Sequence, residues 1–467
     1  MKKRFLAVAI ATAVLSVGML SGCFFRRTVV SVTSIEKTNS VGLVDYYTVY
    51  YSDGTTSFFT VTNGADGTNA SGITVRDVYE EYKNVYGDGL TYEQFCEKFL
   101  GGAKEDAEVH TALNTALRSV VTVYSVYDFK EFGNKVTKGY SGGSGVIYRM
   151  DEDYTYILTN YHVVYESGAY GSDKISNEIH AYLYGSESYP KPNSAYTGYD
   201  YDGYAIECDY IGGAITYDVA VLRARTEDIT KINPDAIPVT VSYEYAVGDK
   251  TYAIGNPELA GISVTEGLVS VDSEYILLAI DGQERSYRSI RTDALITHGS
   301  SGGGLFNMKG ELIGLTNAGS GEICFMNYSI PAVVFTGVAD GVIHYYNGSN
   351  GRYKGTYKMR IGVTSQAENS RYAYDVATGT GRLISDIKIT EVSSGSLGES
   401  MGFKVGDVLR SVTVNGVQTE IYRLFHVSDL MLTVRVGDRI TFTYERDGQV
   451  QTTSEIFAQT ANLDKVD

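Results

Sequence analysis

The feature that most constrains the fold is a rhythm of short β-type runs punctuated by glycine, which extends from about residue 119 to about residue 330. Residues 119–124, Ser-Val-Val-Thr-Val-Tyr, are a clear example. The chain has 51 glycines, 40 tyrosines and only 6 prolines, a mixture that favours strands and turns. Short strands at regular spacing with turn signals between them predict a mostly β protein built from a barrel or a sandwich.

Other segments predict a division into several parts, as a length of 467 residues suggests. Residues 28–63 alternate like strands and predict a small β-meander, with a hairpin turn at 52–54 and a Gly/Asn-rich linker up to residue 72. Short helices are expected within 73–104, where no chemistry is visible. Residues 165–212, rich in Tyr, Gly, Ser and Asp, are interpreted as a long surface loop or hairpin inserted into the β-rich region.

Residues 1–22 have the composition of a lipoprotein signal peptide and are excluded from the fold. Three basic residues precede an apolar run over 5–20, which is shorter than the roughly 20 residues of a bilayer-spanning helix. The run ends in Leu-Ser-Gly-Cys, which resembles a bacterial lipobox. The pattern predicts an exported protein that is lipid-anchored through Cys23 and faces outward from a bacterial membrane. A plain signal peptide followed by a chance cysteine is the alternative.

Charge and cysteine content limit the classes of partner and bond. The formal net charge is −17, and such an acidic chain repels nucleic acid and anionic lipid headgroups. With Cys23 lipidated, Cys96, Cys208 and Cys324 remain. Three thiols do not form a disulfide framework, so we expect small buried side chains, although a pair among them stays open.

The sharpest chemical signal is the glycine-rich run Gly299-Ser300-Ser301-Gly302-Gly303. A serine between glycines can occupy a tight turn that exposes its Oγ and brings backbone N–H groups together. Such pre-aimed donors stabilise the oxyanion that forms when a carbonyl is attacked. The Gly-x-Ser-Gly-Gly frame selects Ser301 over Ser300 as the nucleophile. Residues 299–301 then form the oxyanion hole, with the N–H groups of Gly299 and Ser301 as donors.

Serine needs a base, and the base needs an acceptor that fixes its tautomer. His162, within the segment 156–164, is expected to end an apolar strand, and Asp218 opens the apolar run 218–222. Each alone has a structural reading, as a packed core histidine or as a turn residue. His298 is a competing base, but it is three residues from Ser301 and has no strand-borne acid partner, so we interpret it as a loop residue. The order His, Asp, Ser is that of chymotrypsin-type triads.

These segments, with Gly-Gly-Ser-Gly-Val-Ile at 142–147, Tyr-Ala-Ile-Gly-Asn-Pro at 252–257 and Gly-Leu-Val-Ser at 267–270, resemble the HtrA/Deg family of trypsin-like serine proteases. The resemblance spans roughly 105–460. It implies a double β-barrel protease domain with the active site between barrels near 115–225 and 235–330. It also implies a C-terminal PDZ domain. The resulting division is a protease domain at 105–346, a linker at 347–355, a PDZ domain at 356–460 and a tail at 461–467.

The resemblance implies an endopeptidase that cleaves unfolded or misfolded proteins at the outer face of a bacterial membrane, without cofactor or metal. Family members are commonly homotrimers. The family usually has Asn-Pro-Gly-Asn-Ser-Gly-Gly at the nucleophile, whereas residues 297–303 read Thr-His-Gly-Ser-Ser-Gly-Gly here. The alternative is a latent or inactive protease that acts as a peptide-binding adaptor or chaperone.

The resemblance also places an S1 pocket and a peptide groove. The S1 wall is expected from Leu295, Ile296, Thr316, Asn317 and Ala318. These positions include no acid, so we expect an aliphatic P1 residue instead of Lys or Arg.

Residues 359–363 match the carboxylate-binding loop of PDZ domains, in which Arg360, Ile361, Gly362 and Val363 would face the C-terminal carboxylate of a peptide. Ser428 is expected to cap a short helix that ends near residue 435 and walls the groove. A β-domain without ligand is the alternative.

Overall fold

The computed structural model describes residues 32–41, 44–52, 54–62, 79–80, 83, 91–92, 109–130, 136–195, 197–319, 326–376 and 380–466. The chain divides into two compact units, Met1–Gly101 and Gly102–Asp467. The predicted signal peptide, Cys23, Cys96, Cys324 and most of the predicted helical segment lie outside the described residues. Within these ranges, no helix combines the length and apolar character needed to cross a bilayer.

The first unit contains the predicted meander as a three-stranded antiparallel sheet in the order β1-β2-β3. Its strands are Val32–Val41, Val44–Tyr51 and Thr56–Thr62. Gly54 in the second turn has φ +83°, a conformation that glycine adopts without steric cost.

In the second unit, a helix at 109–117 leads into a closed six-stranded barrel in the order β10-β11-β6-β5-β4-β7. The barrel strands are β4 Val120–Lys130, β5 Val136–Met150, β6 Tyr154–Thr159, β7 Glu178–Leu183, β10 Ile206–Ala214 and β11 Val219–Arg225. The minor strands β8 Lys191–Pro192 and β9 Tyr199–Asp200 pair with each other. A short helix, Thr226–Ile232, follows β11.

The interpretation of 165–212 as a long surface loop or hairpin was wrong in its placement, because β7 and β10 form an antiparallel hairpin within the first barrel. Strand β7 pairs with β4 and β10, so this segment contributes two strands, β7 and β10, to the first barrel. Its buried side chains alternate with polar ones, as in Ile179, Ala181 and Cys208. The high content of Tyr, Gly, Ser and Asp in the connections conceals that alternation in the sequence.

A second closed barrel has the order β12-β13-β14-β17-β16-β15. Its strands are β12 Lys250–Gly255, β13 Ser263–Ala279, β14 Glu284–Thr292, β15 Gly304–Asn307, β16 Leu312–Gly319 and β17 Asn327–Pro331, and the short 3-10 helix Pro257–Leu259 follows β12. The fold class predicted for this region, two β-barrels, is confirmed.

The helix Ala332–Gly348 follows the second barrel and packs on a core shared by both barrels. Phe335, Val338 and Val342 are fully buried there. Pro331, the last residue of β17, directly precedes this helix. The expected linker at 347–355 begins inside the helix, which continues to Gly348 because Val342 and Ile343 still pack on the core.

The last part of the chain is a further sheet in the order β19-β20-β21-β23-β24, with β22 beside β21 and β25 beside β23. Strand β18 pairs with β26, so the expected C-terminal tail at 461–467 is instead a 3-10 turn and a strand. The strands are β18 Thr356–Met359, β19 Val363–Asp375, β20 Thr380–Val392, β21 Val408–Val414, β22 Val417–Glu420, β23 Arg439–Arg446, β24 Gln449–Thr452, β25 Ile456–Phe457 and β26 Leu463–Val466.

Two helices accompany this sheet, Leu397–Ser400 and Leu424–Leu430. The predicted cap at Ser428 was wrong, because Ser428 lies inside the second helix. Buried side chains of β20, β21 and β23, such as Ile387, Leu409 and Phe442, form the core of this part of the chain.

Candidate active site

His162 lies just beyond the first barrel's strand β6. The strand ends at Thr159, and the chain then makes a one-turn helix, Tyr161–Val164. The expectation that His162 ends the strand was therefore off by a few residues. Val163 and Val164 are buried in the barrel core, so the backbone that carries the imidazole is held rigidly.

Asp218 is fully buried in the turn before β11. Its carboxylate accepts the backbone N–H of His162 at 2.9 Å and contacts His162 Nδ1 at 2.8 Å. Asn160 Nδ2 donates to the Asp218 carbonyl at 2.9 Å. Because a carboxylate can only accept, it selects the tautomer with the proton on Nδ1 and leaves Nε2 as the acceptor of a further proton.

The electrostatic environment of His162 favours its charged form. Burial, the largest single influence, opposes the imidazolium. The charge of Asp218 and its hydrogen bond outweigh burial, so the pKa of His162 is raised above its ordinary value of 6.5. The side chain still exposes 33% of its surface, on the side that faces the cleft between the barrels.

Ser301 lies on the turn before β15 and lines the same cleft cavity as His162, a space of about 740 Å³. Its Oγ–H donates to the Asn317 carbonyl at 3.1 Å. Among the residues that the structure describes, the hydroxyl has no hydrogen bond to His162. Ser300 is buried and does not line this cavity. His298 lines the cavity and is exposed.

The N–H groups of Gly299 and Ser301 make no hydrogen bond to any residue that the structure describes. Their directions are nevertheless determined, because the C=O and N–H of a trans peptide point in opposite directions. The His298 carbonyl accepts Glu258 N–H at 2.6 Å. The Ser300 carbonyl accepts Gly303 N–H at 3.0 Å and the Thr316 hydroxyl at 2.5 Å. Two free, oriented donors result, as an oxyanion hole requires.

Glycine is required at two positions of this turn. Gly299 has φ +87°, and a Cβ there would lie 2.4 Å from the Asn256 carbonyl. Gly302 has φ +86°, and a Cβ there would lie 2.2 Å from the Ser144 carbonyl. Any side chain at either position would therefore clash with backbone and distort the turn.

A family profile described as a trypsin-like peptidase domain matches residues 143–315, which include His162, Asp218 and Ser301. The chain is 26% identical over 328 residues to Serine protease Do-like HtrA of Lactococcus lactis subsp. lactis, covering 67% of this chain and 69% of that protein. It is 27% identical over 338 residues to Periplasmic serine endoprotease DegP of Escherichia coli K12, covering 72% of this chain and 60% of DegP.

The chain is similar to HtrA-type serine proteases over about two thirds of its length, and its residues 143–315 match a trypsin-like peptidase domain. It is a serine endopeptidase with a trypsin-like domain, as the sequence resemblance implied. A solved structure titled HtrA-type protease AlgW with decapeptide aligns with a TM-score of 0.45 at 21% identity, covering 75% of this chain and 99% of that one.

Ser144, on β5 of the first barrel, supports the turn at 299–301. Its Oγ–H donates to the Gly299 carbonyl at 2.8 Å and its Oγ accepts Asn256 N–H at 2.8 Å. Its backbone N–H donates to the Ser301 carbonyl at 2.7 Å. The sequence analysis placed Ser144 in the family motif and assigned it no role. The serine between two glycines in Gly143-Ser144-Gly145 was the available signal.

Of the five expected S1 residues, Leu295, Ile296, Asn317 and Ala318 line the cleft cavity. Thr316 does not, because its buried hydroxyl donates to Ser300. An apolar stretch at 278–280 also lines the cleft cavity. It comes from the end of β13 and the following turn. This stretch was not predicted, because no local sequence pattern indicates that the long hairpin of β13 and β14 reaches the cleft.

The candidate carboxylate loop of this protease lies between β18 and β19. Gly362 has φ +77°, and its carbonyl accepts Ser393 N–H at 2.9 Å. The Ile361 carbonyl accepts Gly398 N–H at 2.7 Å. The N–H groups of Ile361 and Gly362 have no acceptor within the described part of the chain. Arg360 is exposed and pairs with Asp464 at 3.4 Å, and Val363 begins the edge strand β19.

Cys208 is buried with a free thiol. Burial raises the pKa of this thiol to about 12, so it is protonated at neutral pH.

Proposed function

We propose that this HtrA-type protease hydrolyses peptide bonds inside unfolded or misfolded proteins through a triad of Ser301, His162 and Asp218. The observation that carries the proposal is the buried Asp218 carboxylate, which holds both the backbone and Nδ1 of His162 at the cleft that Ser301 also lines. The free N–H groups of Gly299 and Ser301 supply the oxyanion hole.

The mechanism starts with rotation of the Ser301 hydroxyl from Asn317 O toward His162. Nε2 of His162 removes the hydroxyl proton as Oγ attacks the substrate carbonyl carbon, and the carbonyl oxygen becomes an oxyanion held by two N–H groups. The imidazolium, stabilised by Asp218, then protonates the leaving amine. A water molecule then attacks the carbonyl carbon of the acyl-enzyme and gives a proton to His162. The bond between this carbon and Ser301 Oγ breaks, His162 returns the proton to Oγ, and the acid product leaves.

The lining of the cleft supports cleavage after aliphatic residues. Leu295, Ile296 and Ala318 contribute apolar surface at the expected S1 wall. The acids that line the wider cavity, Glu166 and Glu258, lie outside the expected S1 wall.

We assign the C-terminal sheet as a PDZ domain that binds the C-terminal end of a peptide. The free N–H groups of Ile361 and Gly362 can donate hydrogen bonds to a terminal carboxylate. Strand β19 lies at the edge of its sheet, so an extended peptide can add to it by β-augmentation. The helix Leu424–Leu430 forms the other wall of this groove.

We place the protein outside the cytoplasm, anchored to a bacterial membrane by a lipid on Cys23 and assembled as a homotrimer. The basic and apolar run before Cys23 supports export. A relative named as a periplasmic serine endoprotease agrees with an extracytoplasmic site. The trimer follows from the resemblance to the family.

One observation favours a second function, that of a latent protease acting as a peptide-binding adaptor. The Ser301 hydroxyl donates to Asn317 O and not to His162 within the described residues. A serine so engaged is not deprotonated until it rotates.

A fluorophosphonate probe, which labels activated serines, distinguishes the two functions. We expect labelling of the wild type and of Ser300→Ala, and none of Ser301→Ala. Ser300→Ala is the matched control because it makes the same change one residue away. Wild-type protein that stays unlabelled with and without added peptides supports the adaptor. Labelling of Ser301→Ala overturns the assignment of the nucleophile.

A further inference from the structure

The turn that carries Asp218 is anchored by two side chains outside the triad. Tyr287, on β14 and only 2% exposed, donates its hydroxyl to the Ile215 carbonyl at 2.9 Å. The same carbonyl accepts the Asp218 N–H at 3.3 Å. Tyr217, which directly precedes Asp218, receives a hydrogen bond on its hydroxyl from Lys358 Nζ at 3.1 Å. The turn is therefore held from β14 and from β18.

Both anchoring side chains are connected to the helix Leu424–Leu430, one through its neighbour in sequence and the other directly. Arg288 follows Tyr287 on β14 and forms an ion pair with Asp429, with side-chain exposures of 5% and 7%. Lys358 also donates to Ser428 Oγ at 2.7 Å. Two consecutive helix residues thus each contact one of the groups that lead to the Asp218 turn.

The geometry of β14 links these contacts mechanically. Consecutive strand residues point to opposite faces, so β14 presents Arg288 to the helix and Tyr287 to the Asp218 turn. The Arg288 guanidinium also lies 4.1 Å from the centre of the Phe425 ring. Because both charges of the ion pair are buried, separating them leaves each unpaired, so the strand and the helix move together.

We propose that Tyr287 is a positioning residue for Asp218, and that Arg288 and Lys358 couple its position to the helix Leu424–Leu430. The inference rests on the proposed triad. Through these contacts, the position of the helix affects the Asp218 turn and how firmly the carboxylate holds His162.

The test uses Tyr287→Phe in the full chain, which removes only the hydroxyl. We expect kcat to fall roughly three- to tenfold with KM little changed, as for loss of one buried hydrogen bond that positions the base. The acid limb of the pH profile should move to lower pH, because a displaced Asp218 stabilises the imidazolium less. Tyr148→Phe is the matched control, since it removes a buried hydroxyl bonded at 2.7 Å to Asp340, and should leave kcat and the pH profile unchanged.

Coupling to the helix is tested with Asp429→Asn alone and combined with Tyr287→Phe. We expect Asp429→Asn to lower kcat in the wild type and to lower it less in the Tyr287→Phe background. The effects of two substitutions are not additive when both residues act through the same chain of contacts. Fold-changes that simply multiply overturn the coupling. If Tyr287→Phe fails to fold, Lys358→Met removes the other anchor, and an unchanged kcat and pH profile in that variant overturns the inference.

Ser301→Ala is measured in parallel to separate the two levels of the argument. Retained activity in Ser301→Ala refutes the proposed function itself. An inactive Ser301→Ala together with a Tyr287→Phe enzyme that matches the wild type refutes only the positioning role.

Discussion

Replacing Ser144 with alanine tests whether hydrogen bonds behind the oxyanion turn align its donors. Ser144 is fully buried, donates to the Gly299 carbonyl and accepts Asn256 N–H, both at 2.8 Å. Alanine removes both bonds and leaves a buried carbonyl and a buried N–H without partners. At about 1 kcal/mol for each bond, we expect the free energy of unfolding to fall by about 2 kcal/mol.

The effect on activity should exceed what the loss of stability explains. Deleting one oxyanion donor outright typically lowers kcat by roughly 10²- to 10³-fold. Ser144→Ala keeps both donors but loosens the Gly299–Ser300 peptide that joins the two donor peptides, so we expect kcat to fall by about 10- to 100-fold, a partial loss of that contribution. KM should change little, because the donors act on charge that develops during the reaction. Peptide hydrolysis, the rate of fluorophosphonate labelling and thermal unfolding measure these quantities.

Ser289→Ala is the matched control. Ser289 is equally buried, and its hydroxyl has no hydrogen-bond partner within the residues that the structure describes. It should retain wild-type kcat. A Ser144→Ala enzyme within twofold of wild-type kcat would refute the alignment argument, even if it were less stable. Equal losses of kcat in both variants would also refute it, because they would reflect a general response to an altered core.

Three further predictions concern the base, the anchor and the S1 pocket. The acid limb of kcat/KM should lie above pH 6.5, because Asp218 raises the pKa of His162 and only the neutral imidazole accepts the serine proton. Asp218→Asn removes that charge, so the limb should move to lower pH and kcat should fall by roughly 10⁴-fold; a pH–rate titration with an unmoved limb contradicts this. Cys23→Ser should release the protein from the membrane fraction or block its processing, as immunoblotting of fractions would show, and unchanged fractionation argues against a lipid anchor. Sequencing the fragments of a digested unfolded protein should show cuts after aliphatic residues, and cuts after Lys or Arg contradict the proposed S1 pocket.

Local sequence was sufficient where a function depends on a few neighbouring residues. Gly299 and Gly302 have positive φ and also lie close to backbone from other segments, and the Gly-x-Ser-Gly-Gly frame already indicates that glycine is needed there. The β-rich runs between 119 and 330 predicted a barrel or a sandwich because alternating buried side chains need no knowledge of the partner strand.

Sequence reasoning failed where distant contacts override local signals. Strands β7 and β10 belong to the first barrel because β7 pairs with β4 and β10 pairs with β11, although their segment is rich in loop-forming residues. The helix at Leu424 begins before the cap signal at Ser428. Asp429 pairs there with Arg288, which lies 141 residues away along the chain.

By itself, the sequence indicated the resemblance to HtrA-type proteases, the mostly β class and the few side chains proposed for acyl-transfer chemistry, because these depend on residue type and order. The tertiary structure alone decided how those side chains are held. Ser144 donates a hydrogen bond to the carbonyl of Gly299, 155 residues away along the chain. The Ser301 hydroxyl donates to Asn317 O, and Tyr287 of the second barrel donates to the turn that carries Asp218. Such contacts join chain segments that only the closed barrels bring together, and no local pattern records them.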